Sequence, residues 1–135
     1  MSTALTRFFF RSPWQPVSTR TVIQWWESRR LMYNVAVGIA GTISLSALAI
    51  AEIVGRHQLP DIPLFPIVVY AVLANIMYSF GPIADTIISR RWGAPYTAVG
   101  PALFRYGFVF SIGLTLLPIP VALIDLTVSI AKMIF

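Results

Sequence analysis

Three apolar stretches, residues 31–54, 64–84 and 99–121, dominate this sequence, and each contains at most one charged residue. A helix needs about 20 residues to cross a hydrocarbon core of about 30 Å, so each stretch is long enough to span a bilayer. Charged residues make up only 11% of the chain, whereas a soluble domain carries about 25%. Because so few charges cannot cover a water-facing surface, the sequence predicts an all-α integral membrane bundle of three transmembrane helices.

The chain before the first span divides into two parts. Residues 1–21 form a basic arm rich in aromatic residues and proline, a composition typical of extended or turn-rich backbone. Residues 22–54 are predicted to form an interfacial helix that runs into the first span without a break. A capping-box pattern over residues 21–24, with Thr21 as the N-cap, predicts its start.

The end of the chain carries one polar stripe. In residues 122–135, Asp125, Ser129 and Lys132 recur at helical spacing on an otherwise apolar segment. This pattern predicts a short amphipathic helix that lies on the far membrane surface. A fourth, half-spanning helix is the alternative.

The placement of the cations predicts the orientation of the helices. Of ten cations, eight lie before the first span or around the connection at 85–98: Arg7, Arg11, Arg20, Arg29, Arg30, Arg90, Arg91 and Arg105. Cytoplasmic loops of membrane proteins are enriched in such residues, so the N-terminus and this connection are expected in the cytoplasm. The same distribution indicates membrane topology rather than a nucleic-acid footprint, and the expected partners are membrane lipids and other membrane proteins, with no nucleic acid.

One face of the first span collects small and polar residues. At 100° per residue the set is Asn34, Gly38, Gly41, Thr42, Leu45, Ala49 and Glu52. Small residues allow a second helix to approach closely within a membrane. Two interpretations stay open: contact with another span of the same chain, or a docking face for another protein.

The second span has a similar face, which comprises Val68, Ala71, Asn75, Tyr78, Ser79 and Pro82. Asn75 is placed near the middle of the membrane, where an unpaired amide is costly. We therefore expect an interhelical hydrogen bond from Asn75 to Thr42, Ser44 or Ser46, with a structural role rather than a role in substrate binding.

The remaining charged residues favour local pairing over chemistry. Glu52 precedes Arg56 by four residues, a spacing that predicts an ion pair rather than a proton path. Asp85 is expected to pair with one of the nearby arginines. His57, the sole histidine, is expected to be solvated rather than to ligate a metal or pigment.

The motifs of enzymes are missing from the sequence. It contains no cysteine, no clustered metal ligands, no glycine-rich phosphate loop and no nucleophile with a base beside it. The sequence therefore predicts a protein that is not an enzyme, has no cofactor of its own, and makes at most peripheral contact with pigment, quinone or lipid.

Residues 25–38 contain a Trp-Trp pair, an Arg-Arg pair and a Tyr-Asn pair that lead directly into the first span. This stretch resembles a motif of small uncharacterised bacterial membrane proteins, and residues 75–81 look like their second-span counterpart. The resemblance covers about a fifth of the chain. It implies a multi-span bacterial membrane protein and no particular chemistry.

The residues of the motif themselves indicate membrane anchoring. Trp25 and Trp26 suit the headgroup level, Arg29 and Arg30 suit lipid phosphates or a partner, and Asn34 caps the buried face. The leading hypothesis is a non-catalytic accessory subunit of a larger complex in the bacterial inner membrane. The expected host is bioenergetic, either a photosynthetic reaction centre with its light-harvesting antenna or a respiratory complex. A small homo-oligomeric transporter or channel is the alternative.

Overall fold

The computed structural model describes Thr6, Phe9 and residues 18–56, 60–61, 64–92 and 99–134. These residues include no strand and form four helices: α1 (Thr19–Arg56), α2 (Leu64–Trp92), α3 (Val99–Leu116) and α4 (Pro118–Ile134). Three helical stretches, Thr19–Gly55, Leu64–Trp92 and Val99–Ile134, are long and apolar enough to cross a membrane. The predicted all-α bundle with three spans is therefore confirmed, and the chain is a multi-pass membrane protein.

Helix α1 begins before the predicted N-cap. Its N-cap is Ser18, whose carbonyl accepts a hydrogen bond from Val22 N at 3.0 Å. Thr21 N donates to Ser18 Oγ at 3.2 Å, and Ser18 N donates to Thr21 Oγ1 at 2.9 Å. This is the reciprocal pattern of a capping box, with a threonine in the place of the usual Glu or Gln. The prediction of Thr21 as N-cap was wrong because Thr21 is the third residue of the helix.

Helix α2 continues beyond the predicted end of the second span at residue 84, straight through Pro82. A proline inside a helix removes one backbone hydrogen bond and costs about 3 kcal/mol. Both Pro82 and Asp85 are buried, however, and Asp85 is hydrogen-bonded to Trp26 of α1. The packing of Pro82 and Asp85 keeps the chain helical, although Gly81-Pro82 alone would predict that the helix ends there.

A single turn at Leu117 separates α3 from α4. Pro118 lacks the N–H that would bond to the carbonyl of Leu114, and Leu117 N bonds to that carbonyl at 3.3 Å instead. Beyond the turn, α4 does not lie flat on the membrane surface as predicted. It packs along α1, and a Cβ added to Gly55 would lie 3.2 Å from the Ser129 side chain.

The contacts fix the direction of each helix. Along α1, Trp26 contacts Phe104 and Ser44 contacts Thr115, so α3 and α4 run parallel to α1. Helix α2 is antiparallel, since Thr19 bonds to Arg90 and Asn34 bonds to Asn75. One end of the bundle therefore carries Arg20, Arg29, Arg30, Arg90, Arg91 and Arg105. We call it the arginine end, and the prediction that these cations lie on the cytoplasmic side stays a prediction.

Some predicted features lie outside the described residues. They are residues 1–17 other than Thr6 and Phe9, His57, and the side chain of Arg56. The turn-rich arm, the solvated histidine and the Glu52–Arg56 ion pair therefore stay predictions.

Gly81 is required by the close approach of α1 and α2. A Cβ at this position would overlap the outer edge of the Trp26 ring. Trp26 is only 3% exposed and its indole nitrogen is hydrogen-bonded, so the ring has little room to move. We expect Gly81→Ala to lower the free energy of unfolding by about 1–3 kcal/mol.

Gly38→Ala is the matched control, because no described residue beyond the neighbouring helix backbone lies within 4 Å of a Cβ at Gly38. This variant should be as stable as the wild type or more stable by up to about 1 kcal/mol, since alanine is the better helix former. Unfolding in mixed detergent micelles, followed by tryptophan fluorescence, measures both. Equal stabilities of the two variants would contradict the assigned packing.

Candidate functional site

A cluster of buried side chains joins the three spans near the arginine end. We call it the aromatic junction; its members are Val22, Trp26, Tyr33, Val37, Tyr78 and Phe104. The Trp26 ring packs edge-on against Tyr78 of α2, with centroids 5.5 Å apart, and against Phe104 of α3 at 5.7 Å. Such ring pairs contribute about 0.5–1.5 kcal/mol each beyond the area they bury. One tryptophan of α1 thus holds both other spans.

Asp85 is the polar centre of this junction and is 0% exposed. It accepts hydrogen bonds from Trp26 Nε1 at 2.9 Å and from Ser89 Oγ at 3.3 Å. Its carboxyl group also lies against the backbone of Gly100 in the first turn of α3, where a Cβ would overlap it. A carboxylate is favoured beside a helix N-terminus, which carries partial positive charge. The sequence predicts an arginine partner for Asp85 and gives no sign of the tryptophan.

A row of hydrogen-bonded polar side chains follows the seam between α1 and α2. We call it the polar ladder; its members are Glu27, Arg30, Ser79, Asn75 and Asn34. Arg30 Nη2 donates to Glu27 Oε1 at 2.8 Å and to Ser79 Oγ at 3.3 Å. Ser79 Oγ donates to the carbonyl of Asn75 at 2.9 Å. The ladder therefore connects the arginine end with the interior of the bundle.

The Asn34 and Asn75 side chains close the ladder by exchanging two amide hydrogen bonds. Asn34 Nδ2 donates to Asn75 Oδ1 at 3.2 Å, and Asn75 Nδ2 donates to Asn34 Oδ1 at 3.0 Å. Asn75 thus has the predicted kind of interhelical bond, but the predicted partners are wrong. Of these, Thr42 and Ser46 bond to carbonyls of α1 itself, and Ser44 bonds to the Thr115 carbonyl of α3. Helices α1 and α2 are offset lengthwise, which brings Asn75 level with Asn34.

The contact face of α1 lies one residue, or about 100° around the helix, from the predicted small-residue face. Its buried residues are Val22, Trp26, Tyr33, Val37, Ala40, Ser44 and Ala51. Gly41 fits the prediction of contact within the chain, since a Cβ there would lie 3.7 Å from Thr115. Gly38 and Thr42 do not, because both are exposed and Gly38 has open space beside it. The large rings of Trp26 and Tyr33 occupy the interior instead.

The two tryptophans of the motif have different roles. Trp26 is buried in the aromatic junction, so its ring packs against α2 and α3 rather than facing lipid, and its predicted level at the headgroups stays a prediction. The Trp25 ring lies under the guanidinium of Arg29, with the carbon of that group 4.0 Å from the ring centroid. Arg29 Nη1 also donates to the Trp25 carbonyl at 2.7 Å. Trp25 and Arg29 therefore form a local cation–π pair at the edge of the bundle.

Tyrosine hydroxyls form a second set of interhelical bonds, which the sequence does not reveal. Tyr33 donates to Ser111 Oγ at 3.0 Å, and Tyr70 shares a hydrogen bond of 2.5 Å with Thr115 Oγ1. Tyr78 donates to the Trp26 carbonyl at 2.6 Å. The sequence could have indicated these bonds only through a general rule, that a buried tyrosine hydroxyl usually has a hydrogen-bond partner. It does not identify which residue that partner is.

Two clefts open on the outside of the described bundle. The α1/α2 groove, of about 580 Å³, is lined by Arg30, Ile67, Val68, Ala71, Val72, Asn75, Ile76 and Ser79. The α2/α3 crevice, of about 460 Å³, is lined mainly by aromatic and small apolar side chains, including Tyr70, Phe80, Gly81, Gly107 and Phe110. Of these two clefts, only the α1/α2 groove has a charged side chain, Arg30, beside its apolar lining residues.

The described part of the chain contains no group of three or more His, Cys, Asp or Glu side chains that could hold a metal ion. No protein-family model, curated protein or solved structure matches this chain. The geometry of the junction, the ladder and the two clefts is therefore the basis for a functional proposal.

Asp85→Ala tests whether the junction depends on its carboxylate. The substitution leaves Trp26 Nε1 buried without its acceptor and removes the negative group beside the start of α3. We expect a loss of about 2–3 kcal/mol in the free energy of unfolding. The control is Asp61→Asn, which removes the same charge from an exposed position and should change stability by less than about 0.5 kcal/mol. Similar values for the two variants would show that the junction does not depend on Asp85.

Proposed function

We propose that this chain is a non-catalytic accessory subunit of a larger complex in the inner membrane of a bacterium. The proposed host is a bioenergetic assembly, either a photosynthetic reaction centre with its light-harvesting antenna or a respiratory complex. The observation that carries the proposal is that α1 and α2 continue past Arg30 with exposed apolar side chains, in a part of the bundle that we place outside the membrane. This placement is derived from the spacing of the charged residues along the helices.

Charged residues mark two levels along the bundle. On α1, Arg30 and Glu52 are 22 residues apart, which is about 33 Å of helix. On α3 and α4, Arg105 and Asp125 are 20 residues apart, about 30 Å. Both separations match the hydrocarbon core of about 30 Å. We therefore place these side chains at the two edges of that core.

An alternative placement puts the arginine ends of α1 and α2, at Thr19 and Arg90, at the edge of the core. This placement is unfavourable. Arg90 bonds to Thr19, 11 residues before Arg30, so Arg30 would lie about 17 Å deeper. That depth is near the centre of the bilayer, where an arginine costs at least about 2.5–3.5 kcal/mol. Arg29 would be buried to a similar depth.

With Arg30 at the edge of the core, α1 and α2 extend about 17 Å past it, whereas the headgroup layer is only about 5–8 Å thick. The extension carries the exposed apolar side chains of Ile23, Ile87 and Trp92, with 46%, 55% and 53% exposed. We propose that these side chains belong to a surface that another protein covers. A subunit of a larger assembly would have such a surface.

The choice of a bioenergetic host has a separate support. The chain has 9 Phe, 5 Tyr and 4 Trp in 135 residues. Rings and small apolar side chains line the α2/α3 crevice, which opens within the candidate spans. Pigments, quinones and lipid tails are the apolar molecules that such a crevice suits. This support is by analogy with ligand sites in general.

A tagged copy expressed from its own locus tests the proposal. We expect it to migrate with one large complex on a native gel after extraction in mild detergent, at fixed stoichiometry with proteins identified by mass spectrometry. Absorbance recorded on the same band distinguishes a pigmented host from a respiratory one. A small colourless homo-oligomer would overturn the subunit proposal and favour a transporter or channel.

Ile87→Ser tests whether the extension is the contact. The side chain is exposed, so the fold should be retained while co-migration with the host is lost or reduced. Val109→Ser is the control, because Val109 is 68% exposed and lies one turn beyond Arg105, inside the membrane core. If only the control weakens the complex, the contact lies within the membrane instead.

A further inference from the structure

The α1/α2 groove combines one cation with an apolar wall. Arg30 and Ser79 lie at one end, and Ile76, Val72 and Val68 continue along α2 away from them. Asn75 also lines the groove, but its amide is already bonded to Asn34 and to the Ala71 carbonyl. The groove therefore offers a single charged group at one end and aliphatic side chains over the rest of its length.

We infer that this groove binds a phospholipid, with the phosphate on Arg30 and one acyl chain along α2. Phosphate oxygens are good acceptors for the planar guanidinium group, which can donate two parallel hydrogen bonds to them. Both hydrogen bonds that Arg30 makes with described residues come from Nη2. The side chain is 32% exposed, whereas its Nε is buried, so we place the phosphate at the Nη end of the guanidinium.

The dimensions of the groove fit one leaflet of a bilayer. From Ser79 to Ile67 the groove follows 12 residues of α2, about 18 Å of helix. Half of the hydrocarbon core is about 15 Å thick. In the placement proposed above, Arg30 lies at the edge of the core, and the charged end of the groove is then at the level of the lipid phosphates. An acyl chain that starts there reaches the far end of the groove near the middle of the membrane.

Two side chains of the polar ladder contact Arg30: Ser79 positions its guanidinium, and Glu27 competes with the phosphate for it. Ser79 accepts from Nη2 and holds the guanidinium beside α2, and the group also lies 5.2 Å from the centroid of the Tyr78 ring. Glu27 is a competing anion three residues away, with 48% of its side chain exposed. Exposed pairs of this kind are weak, so a phosphate can displace the carboxylate or bind beside it.

The test is a titration of the full-length chain in mild detergent with palmitoyl-oleoyl phosphatidylglycerol, with bound lipid counted by native mass spectrometry. Arg30→Gln should weaken binding by about tenfold, the loss expected for one charged hydrogen-bonding group. The control is Arg91→Gln, which removes the same charge from an exposed position near the end of α2 and should bind like the wild type.

Glu27→Gln keeps the inference testable even if the Arg30 variant fails to fold. It removes the competing anion from an exposed position and should strengthen binding severalfold. Unchanged affinity in both the Arg30 and the Glu27 variants would overturn the inference. Ala71→Phe fills the groove and leaves Arg30 in place, so it should also weaken binding if the acyl chain lies there.

Two further measurements separate the phospholipid from other occupants. Inorganic phosphate should not displace the lipid, and displacement at matched concentration would show a simple anion site instead. A photo-crosslinker at Val72, an exposed residue of the groove, should label lipid in native membranes. Labelling of a protein helix at that position would overturn the inference. Binding is measured on the isolated chain, so the result does not depend on the proposed subunit role.

Discussion

The hydrogen bond between Trp26 and Asp85 determines where the three spans meet. It draws a carboxyl group of α2 into a fully buried position, where the same group packs against the first turn of α3. A buried charged group that loses its hydrogen-bond partner is strongly destabilising, so the indole and the carboxylate must be placed together. This arrangement requires glycine at positions 81 and 100, because a side chain at Gly81 would overlap Trp26 and one at Gly100 would overlap Asp85.

The lengths of the spans could be predicted from the sequence, but their relative positions could not. An apolar stretch shows that a helix can cross the membrane, because lipid favours apolar side chains at every position. It does not show how far two helices are shifted lengthwise, and for this reason Asn75 pairs with Asn34 rather than with Thr42. Nor does it fix rotation: small residues favoured one face of α1, whereas Trp26 and Tyr33 occupy the interior. These choices depend on side chains that are distant in sequence.

Several polar side chains within the bundle are hydrogen-bonded to one another across helices. The two asparagine amides form a mutual pair, and hydroxyl groups of Tyr33 and Tyr70 bond to side chains of α3. Interhelical hydrogen bonds of this kind contribute about 0.6 kcal/mol on average in membranes, so each contributes little alone. Together they connect all three spans at several depths. Such an arrangement suits a bundle that keeps one shape, as a subunit fitted against other proteins must.

The position of Arg30 links the lipid groove to the proposed protein contact. If its guanidinium holds a lipid phosphate, then the edge of the hydrocarbon core is fixed at Arg30. The ends of α1 and α2 must then lie outside the membrane, because they extend about 17 Å further along the same axis. Ile87 is 55% exposed on that extension. The lipid inference and the subunit proposal therefore require the same placement: lipid would cover the bundle up to Arg30, and a partner protein would cover Ile87, eight residues beyond Ser79 on α2.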